Sequence, residues 1–402
     1  MNNTIVPGGI KITRAERSKL QDIPDTIPFG KYFSDHMLEA DFENGEWKNV
    51  EIKPYQPLVL SPSVAALHYG QAIFEGVKAY KDTEGNAAIF RPHANHRRFN
   101  ISAERVQMPA VPEEIFVNGM KELVGLDKNW IPAKPDHSLY IRPFMFSSDE
   151  LIGVKPSDTY KFLIILSPTG PYYSAPMRIY AEEKYTRAAP GGVGFAKVAG
   201  NYAASMFPTA EAKRKGYDQI LWTDAHEHRY AEEIGTMNLF FIINGTAVTP
   251  DLSTGSILSG VTRDSAITLF KDMGVPVEEK RVDLNDVVTH TRQILYTTAP
   301  YQNDRVFLQV VALTRYISDH LNFIGQPNLR HLAQSRIRLF RCSCVNTCAN
   351  TTAEGAGIQC PGFAFRLDDF SSFSNQLLYC RHRNLLIFFG TAKVKAPSHK
   401  TK

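Results

Sequence analysis

Along residues 73–80 apolar and polar side chains alternate, which predicts a strand, and residues 87–90 predict its hairpin partner across 82–86. Pro92 suits the first turn of a helix running to about Val106. A second helix begins at Pro112, with Ile115, Phe116, Met120 and Leu123 at helical spacing. Residues 138–146 and 161–166 predict strands, the second continuously apolar after Lys161, as strands buried on both faces are. Before them, residues 1–55 read as an irregular lead-in ending in a hairpin turned at Asn44-Gly45, and residues 57–60 as a short strand.

The turn-rich stretch 167–174 interrupts this pattern and marks a linker. Beyond it come a helix over 202–215, a strand over 219–223 and a hairpin of 239–243 with 247–249 across Asn244-Gly245. An amphipathic helix over 262–273 is closed by Gly274. The order predicts an α/β (α+β) chain of two domains: a small one over 1–168, a linker over 169–178 and a larger one over 179–288.

Composition narrows the class. With 402 residues, 43% hydrophobic and 21% charged, the chain is of soluble globular type, and no apolar run approaches a membrane span. No basic-then-apolar secretory pattern opens it. Lys11, Arg14, Arg17 and Lys19 hint at an organellar presequence, but Glu16, Asp22 and Asp25 speak against one. The cytosol is the expected location, with a mitochondrial one left open. The net charge of +4 hides a split, since residues 289–402 hold 14 Lys/Arg against 5 Asp/Glu and all five cysteines.

The candidate chemistry centres on Lys197, set among small residues between Gly194 and Gly200 with no acid adjacent. Desolvation there disfavours the ammonium and leaves an amine able to form a Schiff base with a carbonyl. The plainer alternative is a glycine-rich loop carrying a solvated lysine. A dinucleotide fingerprint fails because Lys197 stands where its third glycine belongs, and no Gly-Lys pair supports a Walker loop. Three other features suit an aldehyde, phosphate and pyridine cofactor. They are the acids Glu232-Glu233, the helix start at Val261-Thr262, whose free amides suit a phosphate, and the pair Arg97-Arg98.

Ordered motifs then carry a resemblance: Ala66-Leu67-His68-Tyr69-Gly70 with Phe74-Glu75-Gly76, Tyr140-Ile141-Arg142-Pro143, Lys197 with Gly200-Asn201-Tyr202, Glu233-Ile234-Gly235-Thr236-Met237-Asn238, and Gly260-Val261-Thr262-Arg263. Over about residues 30–288 the chain resembles the branched-chain amino-acid aminotransferases, pyridoxal-phosphate enzymes of fold type IV. The resemblance implies pyridoxal 5′-phosphate bound through Lys197, which also moves the substrate proton. Glu233 would meet the ring nitrogen, and Tyr202 the phenolic oxygen. Arg98, Val261 and Thr262 would hold the phosphate. Tyr69, Phe74, Tyr140, Arg142 and Tyr172 would contact substrates: branched-chain amino acids, 2-oxo acids and glutamate. It also implies a homodimer, in which the small domain of one subunit reaches the other's pocket. No nucleic acid, membrane or metal enters this expectation.

After Val288 the resemblance stops. Where the family carries a Gly-Thr-Ala-Ala turn for the phosphate and substrate carboxylate, this chain has Tyr296-Thr297-Thr298-Ala299-Pro300. Cys342, Cys344, Cys348 and Cys360 lack a standard zinc spacing, and the basic residues are scattered. Residues 289–402 therefore read as a divergent basic tail foreign to the family, from a shifted frame, alternative splicing or a gene-model error. Two functions are weighed: an active transaminase passing the amino group of leucine, isoleucine or valine to 2-oxoglutarate, and a cofactor-binding homologue impaired by the missing turn.

Overall fold

Two nine-stranded sheets organise the chain. The structure, a computed structural model, describes residues 9–287 other than Ile23, Asp25, Thr83, Pro135, Asp136 and 171–177, together with the backbone of strands Asn3–Val6, Val306–Val310, Leu378–Cys380, Leu385–Ile387 and Gly390–Lys395. The altered turn at 296–300, Cys342, Cys344, Cys348, Cys360 and Tyr172 lie outside the described residues.

The first sheet takes β1 (Asn3–Val6), β2 (Ile10–Thr13), β3 (His36–Glu43), β4 (Glu46–Pro54), β5 (Ala72–Phe74), β6 (Val77–Lys81), β7 (Ala87–Ile89), β8 (Ser138–Ser147) and β9 (Tyr160–Thr169). Its order is β1-β2-β4-β3-β9-β8-β6-β7, with β5 also on β8. The β3–β4 turn is Asn44-Gly45, with φ of 55° and 81°, the left-handed pair a tight hairpin requires. Residues 57–60 are not a strand: Pro57 lacks a donor, and Val59 is 97% exposed.

The expected strand over 73–80 is two strands laid end to end along β8, with Phe74 opposite Phe144 and Val77 opposite Ile141. The break falls at Glu75-Gly76, where Glu75 takes an inward place in line with Ile73, Val77 and Ala79 and is fully buried. A side chain on Gly76 would begin 2.6 Å from the Tyr140 hydroxyl, so glycine at this position leaves room for Tyr140.

Helices α1 (Ala65–Tyr69), α2 (Pro92–Arg105) and α3 (Gly119–Leu126) belong to this half; a wider π-type turn, Glu114–Asn118, leads into α3. Phe99 of α2 meets Phe116 and Phe162 of β9 at centroid distances of 5.2 and 5.6 Å. Ile115, Phe116, Met120 and Leu123 are buried beside them, as their spacing predicts.

β9 continues through Thr169, which pairs with Ser138, so 167–169 belong to the strand instead of the linker stretch. The second sheet contains β10 (Ile179–Ala181), β11 (Gln219–Thr223), β12 (Tyr230–Ile234), β13 (Phe241–Ile243), β14 (Thr246–Thr249), β15 (Val277–Glu279), β16 (Val282–Asp283), β17 (Val306–Val310) and the strand Gly390–Lys395. Helix α4 (Ala199–Arg214) crosses from β10 to its parallel neighbour β11, and α5 (Val261–Asp272) lies between β14 and β15 in sequence. Among the described residues, no helix is long and apolar enough to cross a membrane.

Candidate active site

Lys197 is delivered from the edge of the first sheet. Its carbonyl accepts the Phe74 N–H at 3.1 Å, its own N–H donates to Ser102 Oγ at 2.8 Å, and Val198 bridges to Ile73. Asn201, at the start of α4, donates to the carbonyls of Val193 and Ala196 at 2.9 and 3.0 Å and draws the loop tight. The side chain emerges between two aromatic rings, with Nζ 4.8 Å from the Phe74 centroid and 5.0 Å from that of Tyr202. Nζ donates to the Tyr202 hydroxyl at 2.6 Å.

Burial, opposed by the Glu75 carboxylate and reinforced by the Arg98 guanidinium, brings the Lys197 amine down to about 8. The Tyr202 phenol is pushed up to about 12, first by burial and then by the Glu233 carboxylate. At neutral pH Tyr202 is therefore a neutral phenol, and the amine is far closer to free than an ordinary lysine.

Glu233 lies on β12, a strand the hydrophobic pattern did not reveal, and is 3% exposed. Its Oε1 accepts the Leu258 N–H at 2.9 Å, and its Oε2 stands 3.3 Å from Arg187 Nε. Arg187, Tyr202, Glu233, Gly235, Thr236 and Leu258 line one cleft. Arg187 Nε is buried in it, ion-paired with Glu233 but outside hydrogen-bond geometry.

Arg98 reaches the site already engaged. Its Nε and Nη2 each donate to Glu75 at 2.7 Å, and Nη1 donates to the Ser259 carbonyl at 2.9 Å. Burial alone would push the Glu75 carboxyl up, but the Arg98 guanidinium more than reverses this and holds it below the usual range. Val261 and Thr262 head α5, where the first amides have no intrahelical acceptor. Arg91, in a left-handed conformation at φ 47° just before α2, clamps that turn by donating to the Val261 carbonyl at 3.2 Å and to Ser265 Oγ at 2.6 Å.

The structure thus brings together Lys197, Tyr202, Phe74, Tyr140 and Arg142, with Glu233 on the cleft beside Tyr202. The Arg142 guanidinium lies 4.5 Å from the Phe74 centroid and donates to the Tyr140 hydroxyl at 2.8 Å. Tyr69 is not joined to this group: it is 41% exposed at the end of α1, beside His68. Sequence reading assigned no role to Arg187, Glu75 or Ser102. The inward acid in an alternating strand was a signal for Glu75; Arg187 had none. Among the described residues, no group of three or more His, Cys, Asp or Glu could hold a metal ion.

The family described as class IV amino-transferase matches residues 72–297. Branched-chain-amino-acid transaminase 1 of Bacillus subtilis is 51% identical over 269 residues, covering 66% of this chain and 75% of that protein. A probable branched-chain-amino-acid aminotransferase of Staphylococcus epidermidis is 48% identical over 284 residues, covering 69% and 79%. Among solved structures, the Escherichia coli branched-chain amino acid aminotransferase superposes with a TM-score of 0.52 at 25% identity, over 67% of this chain and 82% of that one. The T.th. branched-chain amino acid aminotransferase complexed with N-(5′-phosphopyridoxyl)-L-glutamate does so with 0.52 at 28%, over 67% and 81%.

Proposed function

The chain belongs to the class IV amino-transferase family, and from that premise we propose that it moves the amino group of leucine, isoleucine or valine to 2-oxoglutarate, using pyridoxal 5′-phosphate held at Lys197. The observation that carries this reading is the Lys197 amine, lowered to about 8 and hydrogen-bonded to Tyr202 beside the cleft of Glu233. The described residues fit the cofactor: the buried Lys197 amine suits its aldehyde, and the first amides of α5, without intrahelical acceptors, suit an anionic ester. When bound, the cofactor supplies an aldehyde and a ring that accepts electrons.

The chain's own groups then divide the work. Lys197 would hold the cofactor through its aldehyde and would carry a proton to and from the substrate Cα. Glu233 would meet the ring nitrogen and favour its protonated form, and Tyr202 would donate to the phenolic oxygen. Arg98, Val261 and Thr262 would hold the phosphate. Phe74 and Tyr140 wall an aliphatic side chain, while Arg142 takes the distal carboxylate of glutamate. Residues 1–168 and 179–288 would form the two domains, joined by 169–178 apart from Thr169, which ends β9.

The protein works as a homodimer, in which Tyr69 and Tyr172 serve as further substrate contacts. Supporting this, Val59, Leu67, Tyr69, Ile152 and Val154 are exposed large apolar residues. The Val64–Glu150 bridge sets the start of α1 beside the 150–154 segment, so the two exposed apolar stretches are neighbours.

The test uses purified full-length protein with added pyridoxal phosphate, reduced with borohydride and digested. Mass spectrometry is expected to find the cofactor's mass on the Lys197 peptide, and leucine with 2-oxoglutarate is expected to turn over. No label at saturating cofactor overturns the reading, and label without turnover identifies a cofactor-binding protein impaired in catalysis.

A further inference from the structure

β12 carries two consecutive acids, and a strand sends consecutive side chains to opposite faces. Glu233 goes to the cleft. Glu232 goes the other way and is 4% exposed, and the proposed reaction makes no use of it. Its Oε1 accepts the Ser256 hydroxyl at 2.5 Å, while its Oε2 is buried with no hydrogen-bond partner. Arg187, Glu233 and Asp224 are the charged groups that act on it. A buried carboxyl with one oxygen unpartnered is destabilising by itself, so its contribution is to be sought in what it holds.

What it holds is Ser256, which is fully buried. The Ser256 carbonyl accepts Arg187 Nη2, and the same guanidinium stands 3.3 Å from Glu233. Two residues on, the Leu258 N–H donates to Glu233 at 2.9 Å. The Ser256 carbonyl oxygen also packs on the lysine loop, filling the place where a side chain on Gly194 would begin, and Phe195 N–H donates to the Gly255 carbonyl at 3.0 Å. One short segment therefore touches two of the contacts of Glu233, Arg187 and its own Leu258, and the backbone that carries Lys197.

We propose that Glu232 is a positioning residue: by gripping Ser256 from behind β12, it fixes the 254–258 segment and Arg187, and through them the places of Glu233 and the Lys197 loop. This rests on Glu233 being the partner of the cofactor's ring nitrogen. Burial lifts the Glu232 carboxyl to about 7, with Ser256 and Arg187 pulling the other way, so its charge changes near neutral pH beside that of Glu233.

The test follows the visible absorbance of the full-length protein, reconstituted with pyridoxal phosphate, as a function of pH. Glu232→Ala and Ser256→Ala are each expected to shift the titration midpoint by about half a unit or more, in the same direction. Each is expected to lower kcat about tenfold with KM for leucine within about twofold. The double variant is expected to be no worse than either single one, because both cut the same bond. Glu232→Gln, which keeps an oxygen to accept from Ser256, should stay within about threefold of the parent protein.

An unmoved titration with a lowered thermal midpoint, or additive losses in the double variant, overturns the proposal. Should Glu232→Ala fail to fold, Ser256→Ala, which lacks a single hydroxyl, decides by the same readouts. Borohydride labelling separates the two levels. No label on Lys197 in the parent protein ends the reading of the whole site, whereas label with an unmoved titration in Ser256→Ala ends this inference alone.

Discussion

An amine that loses its proton near pH 8 behaves differently from an exposed lysine. Lys197 owes that value to burial together with the nearby Arg98 and Arg142 guanidinium groups, against the attraction of Glu75. Only the neutral amine attacks an aldehyde, so capture of pyridoxal phosphate should accelerate as pH rises to about 8 and then level off. Rapid-mixing absorbance would show it; a rise that continues to the ordinary lysine value would place the amine in water. Lys197→Ala should abolish both capture and turnover.

Glu75 poses the reverse case. Its folded-state carboxyl lies below the usual range, so the pair with Arg98 stabilises the fold above the unfolded value, and that contribution disappears as pH falls through the folded one. Glu75→Ala leaves the Arg98 guanidinium buried and uncompensated, which should cost about 3–5 kcal/mol in urea unfolding near neutral pH, and less in acid.

At the scale of the element, the turns and helix starts were readable because their causes are local. Asn44-Gly45 takes the left-handed pair its residues favour, and Gly45→Ala should cost about 1–2 kcal/mol, seen as a lower thermal midpoint. Pro92 opens α2 as its fixed φ suits, and Lys197, Tyr202 and Glu233 were readable from short motifs. The contacts that support them were not. Ser102 holds the Lys197 amide across 95 positions, and Arg98 finds Glu75 across 23. Such partners are chosen by which strands lie side by side, and periodicity along the chain does not carry that information. β12 escaped notice for a related reason: its two acids are buried by neighbouring segments, which a polar pair in a sequence does not announce.

At the scale of the whole molecule, the joint between the two sheets matters most. Arg91, in the first half, grips the first turn of α5, in the second, while Arg98 reaches the Ser259 carbonyl just before it. Arg91→Ala should therefore weaken retention of pyridoxal phosphate about tenfold, measured by dialysis against the parent protein, while leaving the first sheet folded. The exposed apolar residues of α1 and the 150–154 segment give an expectation about assembly. Light scattering should return twice the chain mass, and Leu67→Asp with Val154→Asp should halve it.

The carbonyl of Ser256, wedged where position 194 would otherwise grow a side chain, has a bearing on inheritance. The lysine loop and the segment behind the second acid cannot drift apart independently, since bulk added to one is a collision for the other. Chimeras between this protein and its relatives should tolerate crossovers before the loop or after the segment. Those that separate the two should survive only when both parents bring glycine and the same backbone path.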